Sequence, residues 1–323
     1  MTQRILVTGG HGFVGSALAN VLLENGYRIR ISSRQNLTEE KAFIEYSKVG
    51  DLGPRTDWLN ALEGISVVVH CAGRVHVMND KAPDSLAAFR MANLEGTLNL
   101  ARQAVKAGVK RFVFISTIGV NGSHTILGEP FSEVDKPNPH NNYTLSKWEA
   151  EQELMSIALE TGLEIVIIRP PLVYGSNAPG NFRSLMAAVM RCWPLPLGLV
   201  NNRRSLVAVD NLVDFIVTCI NHPKAANQTF LVSDGQDLST KELVRGIAQA
   251  ASLPICLLPL PVWLLRAGGR LLGKADAVQG LCGNLQINIS KAHNLLGWVP
   301  TISVNEGLSR AVKGYEQSET SLK

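Results

Sequence analysis

Ile5-Leu6-Val7-Thr8-Gly9-Gly10-His11-Gly12-Phe13-Val14-Gly15 is the stretch that decides the fold. Three successive apolar residues bounded by a glycine cluster read as a short buried strand. Ser16 to Glu24 then carries apolar residues at helical spacing and ends at Asn25-Gly26, a helix stop. The order is strand, glycine turn, helix. Such a turn brings the backbone close beneath a phosphate and sets that phosphate at the positive N-terminus of the helix. Gly9, Gly12 and Gly15, with Phe13 and Val14 between the last two, are therefore candidate cofactor-binding residues.

Outward from this unit, strands and helices alternate. Tyr27 to Ile31 reads as a second strand, Ile44 to Tyr46, ending near Asp51-Leu52, as a third, and Ile65 to Ala72 as a fourth, apolar enough to be buried on both faces. A long helix is expected over Leu86 to Ala107, a fifth strand over Arg111 to Thr117, a helix from Tyr143, and a sixth strand over Ile165 to Pro170. This alternation predicts an α/β protein: a Rossmann-type, doubly wound parallel sheet with a ligand crevice at the C-terminal ends of its strands. Beyond Tyr174-Gly175 the pattern weakens and Gly, Pro and Asn become frequent. Residues 1–175 with about 205–237 are expected to form the dinucleotide-binding domain, Phe230-Leu231-Val232 returning a strand to its sheet. Residues 176–204 with about 238–323 would form a smaller C-terminal substrate lobe.

Composition removes several classes. With 323 residues, 46% hydrophobic and 18% charged, the chain has the make-up of an ordinary soluble protein that buries a substantial core. A net charge of +4 without a Lys/Arg run argues against nucleic acid as a partner. Its five cysteines are scattered and form no CxxC, which points away from disulfides and from a metal site and toward reduced core thiols. Met1 to Arg4 lead directly into a strand, so no signal peptide is expected and a cytoplasmic location is. Leu257 to Leu272 is the most apolar stretch, but Arg266 and Arg270 interrupt it and it is too short to span a bilayer. A core or interface helix is expected there, with a membrane-surface anchor as the alternative.

Tyr143-Thr144-Leu145-Ser146-Lys147 is the stretch that suggests chemistry. On a helix the phenol and the ammonium share one face, and a nearby cation favours phenolate by roughly one to three pKa units. Ser116-Thr117 puts hydroxyls at the end of the fifth strand, where one of them can steady charge developing on a reacting oxygen. At the end of the second strand stands Ser32-Ser33-Arg34, where an NAD site usually has an acid; a hydroxyl followed by a guanidinium suits a 2′-phosphate instead.

Taken together the motifs resemble those of the extended short-chain dehydrogenase/reductases, the family of nucleotide-sugar epimerases, dehydratases and ketoreductases. Residues 8–15 are similar to its TGGxGFxG, Asp51-Leu52 to its adenine-side Asp-Leu, and His70-Cys71-Ala72-Gly73 to its HxAA. Asn93 to Thr97 is similar to NxxGT, Arg169 to Gly175 to RPxxVYG, and Arg203 to Leu212 to RRxxxHVDDL. The resemblance covers nearly the whole chain. It implies Thr117, Tyr143 and Lys147 as the catalytic set, with Ser116 as the alternative hydroxyl. It implies a cofactor site that adds Ser33, Arg34, Asp51, Leu52, Cys71, Ala72, Gly73, Asn93, Ser116 and Pro170 to the glycine turn, with Tyr143 and Lys147 touching the nicotinamide end. Substrate would meet Thr117, Asn181 and Arg204, Arg203 being the alternative cation. NADP(H) is favoured on the strength of Arg34, with NAD(H) as the other choice.

Ile118 and Gly119 stand where the family's dehydratases carry an Asp-Glu pair, which argues against elimination of water. The expected reaction is reduction of a UDP-4-keto-6-deoxy-N-acetylhexosamine in surface-polysaccharide synthesis. The alternatives are a UDP-hexose or UDP-N-acetylhexosamine 4-epimerase and, more remotely, a non-catalytic dinucleotide sensor. A homodimer is a family expectation. Two departures concern the sugar nucleotide: Gln279 to Asn284 replaces an R-x-G-D segment, and Leu172 replaces an Asn.

Overall fold

In a computed structural model, which describes residues 3–35, 43–75 and 84–320, the first half of the chain alternates as expected. Its elements are β1 (Arg4–Thr8), α1 (Phe13–Glu24), β2 (Arg28–Ser33), β3 (Ile44–Lys48), the single turn α2 (Leu59–Leu62) and β4 (Val67–His70). After β4 come α3 (Ser85–Phe89), a π-helical turn over Arg90–Glu95, α4 (Gly96–Lys106), β5 (Arg111–Ile115), α5 (Asn142–Thr161) and β6 (Glu164–Arg169). The second half holds β7 (Leu172–Tyr174), α6 (Gly180–Met190), β8 (Leu206–Ala208), α7 (Val209–Asn221), β9 (Gln228–Leu231), α8 (Thr240–Ala250), α9 (Val262–Leu271), α10 (Ala275–Cys282), α11 (Ser290–Leu296) and α12 (Val304–Thr320).

Seven strands form one parallel sheet in the order β3-β2-β1-β4-β5-β6-β9. The chain builds outward from β1 in one direction and then returns to build in the other, so the strand order reverses between β1 and β4. A crevice at the C-terminal ends of the strands opens at that reversal. Both faces of the sheet are covered, and the strands show it residue by residue. Ile5 and Val7 of β1, Val67 and Val69 of β4, Val113 of β5 and Val166 and Ile168 of β6 join one core cluster with residues of α1 and α7. Their alternate neighbours Leu6, Val68, Phe112, Phe114, Ile165 and Ile167 join another with residues of α4 and α5. A period of two that is apolar on both phases is what a strand between two helical layers requires.

α6, α8 and α12 gather around a third cluster that includes Phe182, Met186, Val244, Ile247 and Leu308. It also takes Tyr174, Leu206 and Ala208 from β7 and β8, which pair parallel with each other apart from the large sheet. The Tyr174 hydroxyl donates to Asp234 at 2.8 Å, and Asn211 donates to the same carboxylate. Those two motif residues are struts that join β7, α7 and the segment after β9. All five cysteines are free, but Cys192 and Cys256 are exposed, so the expectation of core thiols holds for only some of them. Among the described residues no helix is long and apolar enough to cross a membrane, and no group of His, Cys, Asp and Glu could hold a metal ion.

Candidate active site

The glycine turn sits at the strand-order reversal, and its geometry explains its composition. Gly9 has φ +69°, and a Cβ there would stand 2.8 Å from the Ala72 amide nitrogen in the loop after β4. A Cβ on Gly15 would stand 2.2 Å from the Gly9 carbonyl oxygen. The turn is closed by the Gly12 amide donating to the Gly9 carbonyl at 2.8 Å. α1 begins at Gly12 with no side-chain cap and no acidic residue in its first turn. The amides of Phe13, Val14 and Gly15 thus have neither an intrahelical partner nor a negative neighbour, which is the donor set a pyrophosphate needs. These residues fit a dinucleotide.

Beside the turn, the loop after β4 is fastened from three sides. The Ala72 amide donates to the Thr8 hydroxyl at 3.2 Å, and that hydroxyl lies 2.7 Å from Nδ1 of the fully buried His70. The other ring nitrogen lies 3.0 Å from the Thr97 hydroxyl. Burial, and then the Lys147 charge, drive the His70 pKa down to about 3, so the ring is neutral. Asn93, in the π-helical turn, accepts from the Arg74 amide at 2.7 Å and donates to the Arg74 carbonyl and to the Ser146 hydroxyl. A Cβ on Gly73 would stand 3.1 Å from the Asn93 Oδ1 and 3.4 Å from the Lys147 Nζ. Gly73, Asn93 and Lys147 therefore meet at one point, and the π-helical turn aims Asn93 there.

α5 delivers Tyr143 and Lys147. A capping box fixes its start: the Asn141 side chain accepts from the Thr144 amide at 2.8 Å, and the Thr144 hydroxyl accepts from the Asn141 amide at 3.1 Å. Tyr143 lies in the first turn, half-buried, with its ring 6.1 Å from that of Phe89. Lys147 is buried one turn on. Its Nζ donates to the Ile115 carbonyl at 2.9 Å and lies 4.4 Å from the centre of the Phe114 ring. Burial lowers the lysine pKa to about 8, against the opposing influence of Cys71 and Glu151. The Tyr143 phenol is pushed up to about 12 by burial. That direction is opposite to the one expected from the Tyr-Lys spacing, because in this structure the ammonium reaches the end of β5 while the phenol loses solvent.

The two hydroxyls after β5 are separated by their partners. Ser116 is buried, and its hydroxyl donates to the Glu151 carboxylate. Glu151 in turn takes Arg169 through Nε at 3.1 Å and Nη2 at 2.5 Å, and Arg169 donates on to Asn121 at 2.9 Å. Thr117 lies outside this network; its hydroxyl accepts only a local bond, from the Gly119 amide at 3.2 Å. A Cβ on Gly119 would stand 2.4 Å from the Thr144 methyl and 3.5 Å from the Thr117 hydroxyl. That glycine lets the Thr117 loop close on the start of α5. Pro170 is buried, its carbonyl accepting from the Ile118 amide at 2.9 Å. Ser146 and Glu151 were not singled out from the sequence, although Glu151 follows Lys147 by one helical turn on the buried face of the helix.

At the adenine side, Leu52 packs where α4 begins, since a Cβ on Gly96 would stand 2.9 Å from its Cγ. Ser33 is buried, and its hydroxyl accepts from the Gln35 amide. Arg34 reaches Asp51 at 3.8 Å, the two side chains 80% and 91% exposed. Arg34 is thus a solvent-exposed cation at the rim of the crevice.

The two adjacent arginines are resolved by their surroundings. Arg203 pairs with Glu242, the capping-box acid of α8, at 3.0 Å. Arg204 donates to the Gly283 carbonyl at 3.0 Å and, among the described residues, has no carboxylate partner. Burial lowers its pKa from the usual guanidinium value. Arg204 bridges Leu285, which packs with Ile118, the residue after Thr117. This small cluster ties Arg204 to the Thr117 loop. Asn181 is exposed in the first turn of α6. A surface depression bordered by Val105, Lys110 and Glu164 lies at the opposite end of β5 and β6 and contains none of these residues.

A sequence model described as the NAD dependent epimerase/dehydratase family matches residues 5–233. The chain belongs to this family. It is 46% identical over 320 residues, 98% of this chain and 97% of the relative, to a UDP-glucose 4-epimerase of Vibrio cholerae. It is 27% identical, over 97% of this chain and 95% of the relative, to an N-acetyl-alpha-D-glucosaminyl-diphospho-ditrans,octacis-undecaprenol 4-epimerase of Escherichia coli O157:H7. In fold it is similar to the crystal structure of a UDP-glucose 4-epimerase from Thermotoga maritima with UDP-glucose, with a TM-score of 0.77, 23% identity, and coverage of 98% of this chain and 100% of that one. The protein is an NAD-dependent epimerase/dehydratase-type enzyme on a Rossmann-like fold. The preference for NADP(H) drawn from Ser33 and Arg34 finds no support in a family described as NAD dependent.

Proposed function

We propose that the protein is a cytoplasmic 4-epimerase of UDP-hexoses, UDP-glucose foremost, working with bound NAD(H). The observation that carries this reading is the 46% identity to a UDP-glucose 4-epimerase along almost the whole of both chains. It favours the epimerase alternative over the 4-ketoreductase that Arg34 suggested. Ile118 and Gly119 in place of an acid–base pair are consistent with a reaction that eliminates no water.

NAD, when bound, supplies acceptance and return of a hydride at the sugar C4. In the reading proposed, the Gly9–Gly15 turn and the first amides of α1 hold its pyrophosphate, and Asp51 and Leu52 border the adenine end. Ser33, Cys71, Ala72, Gly73, Asn93, Ser116 and Pro170 line the crevice between. Tyr143, in the phenolate form that positive charge on Lys147 and on a bound oxidised nicotinamide would favour over the protonated phenol that burial alone favours, would take the proton from the C4 hydroxyl and return it, and Thr117 would hold that oxygen by a hydrogen bond. Lys147 supplies positive charge beside the nicotinamide ribose. Arg204, which among the described residues has no carboxylate partner, would take the nucleotide diphosphate, since a guanidinium not already in an ion pair binds phosphate strongly. Residues 1–175 with about 205–237 would serve the dinucleotide and the remainder the sugar, and a homodimer completes the reading.

Purified protein incubated with UDP-glucose and no added cofactor tests it. UDP-galactose forms if the reading is right. Turnover only of a 4-keto sugar, and only with added NADPH, restores the reductase.

A further inference from the structure

The apolar stretch that includes α9 is not in the core. The inner face of α9 is held by Val262 and Leu265, which pack against the third core cluster, and by Gly269, where a Cβ would stand 2.5 Å from Val278 of α10. The outer face is apolar at helical spacing: Trp263 is 68% and Leu271 87% exposed, with Leu264 and Leu272 exposed beside them. A second exposed pair, Trp193 and Leu199, belongs to a segment tied to the one before α9. The Leu195 amide donates to the Cys256 carbonyl, the Leu258 amide to Leu195, and the Gly198 amide to Leu258, at 2.8–3.0 Å. Gly198 permits that approach, since a Cβ would stand 2.9 Å from the Leu258 carbonyl oxygen.

Charge decides what such a face can meet. Arg266, Arg270 and Lys274 edge the outer face of α9, and Arg191 stacks on Trp193 at 5.5 Å. Between Leu185 and Leu199 and between Ala251 and Lys274 the sequence contains no Asp or Glu; Asp276 is the nearest acid beyond. Two exposed tryptophans and several exposed leucines with Arg191, Arg266, Arg270 and Lys274 near them in the chain form the pattern of an interfacial helix. The rings sit at headgroup depth, the leucines enter the acyl boundary, and the basic stems reach back to anionic headgroups. A second copy of this chain is a poorer occupant, because it would bring two sets of Arg191, Arg266, Arg270 and Lys274 into one contact with no acid in either segment to offset them.

We infer that the outer face of α9, with Trp193 and Leu199 beside it, docks the enzyme on an anionic phospholipid surface. No helix spans the bilayer in this arrangement; the protein lies on it. α10 runs from this surface to Gly283, whose carbonyl holds Arg204, so docking would orient the proposed diphosphate-binding side of the molecule relative to the membrane.

Flotation with lipid vesicles tests the inference. The full chain is mixed with vesicles of phosphatidylglycerol and phosphatidylethanolamine and, separately, of phosphatidylcholine. It should float with the anionic vesicles only and be released by salt. Trp263→Ser/Leu271→Ser and Arg266→Glu/Arg270→Glu should each lower the bound fraction roughly tenfold or more, with thermal unfolding and the mass by light scattering unchanged. Failure to float with anionic vesicles overturns the proposal, as does flotation that ignores the charge reversal. A fall in oligomeric mass on Trp263→Ser/Leu271→Ser would show that a second copy covers the face and overturns it as well. Should that variant fail to fold, the charge reversal, confined to exposed side chains, decides alone. None of these readouts depends on the sugar substrate.

Discussion

The start of α5 and the Arg203–Arg204 pair both bring cations to the proposed reaction centre, and they are held in opposite ways. Around α5 the polar groups are buried and bonded to one another: Lys147 to the end of β5, Ser116 to Glu151, Glu151 to Arg169, Arg169 to Asn121. Around the arginine pair they are half-exposed, and among the described residues Arg203 has an acid and Arg204 has none. The difference separates two tasks. Proton and hydride chemistry is the same for any sugar and gains from a rigid surround, because preorganised groups need no rearrangement at the transition state. Recognition of one sugar nucleotide is left to groups that stay free to be paired by the ligand.

Substitutions in each region sharpen this contrast. Tyr143→Phe removes only a hydroxyl and should lower kcat by roughly 10²- to 10⁴-fold with unfolding unchanged; turnover equal to the parent would remove Tyr143 from the chemistry. Glu151→Gln strands the buried Arg169 guanidinium and should cost about 3–5 kcal/mol of stability, read from denaturant unfolding. A cost near zero would show the network to be slack. His70 carries a pH signature of the same rigid region. Its folded pKa of about 3 lies below the ordinary 6.5, so its contribution is complete above pH 6.5 and is lost as pH falls toward 3. The loss should total roughly 5 kcal/mol and be absent in His70→Asn, as urea titrations across that window would show. On the recognition side, Arg204→Met should raise KM roughly tenfold to a hundredfold with a smaller change in kcat. Arg203→Met should change stability by less than about 1 kcal/mol, its pair being largely solvated, and leave KM unaltered. If Arg203 proved the costlier of the two, the assignment within the pair would reverse.

What could be read from the sequence follows the same division. The glycine turn was legible because sterics leave no other residue for Gly9 and Gly15, and the sheet because a strand apolar on both phases has one explanation. Tyr143 and Lys147 were legible as a pair because helical spacing fixes their Cα atoms. The spacing does not fix where Nζ points, and so the direction of the phenol's shift came out reversed. Glu151 was missed because its partner lies eighteen residues away on β6, a contact made by the fold and not by the helix. Tyr174 belongs to the RPxxVYG-like stretch and serves as a strut, its acid sixty residues downstream. Nothing local distinguishes Arg203 from Arg204; Glu242 on α8 does. The apolar stretch containing α9 carried composition but no sign of exposure, since the same leucines suit a core or a surface until the elements packing beneath are known.

The claim on which the rest depends is that the enzyme oxidises and re-reduces the same carbon of one sugar with a cofactor it keeps. UDP-glucose deuterated at C4 tests it, with excess unlabelled NADH present and the product read by mass spectrometry. The account predicts UDP-galactose that retains its deuterium at C4. Loss of the label to the cofactor pool, or no UDP-galactose at all, would contradict it.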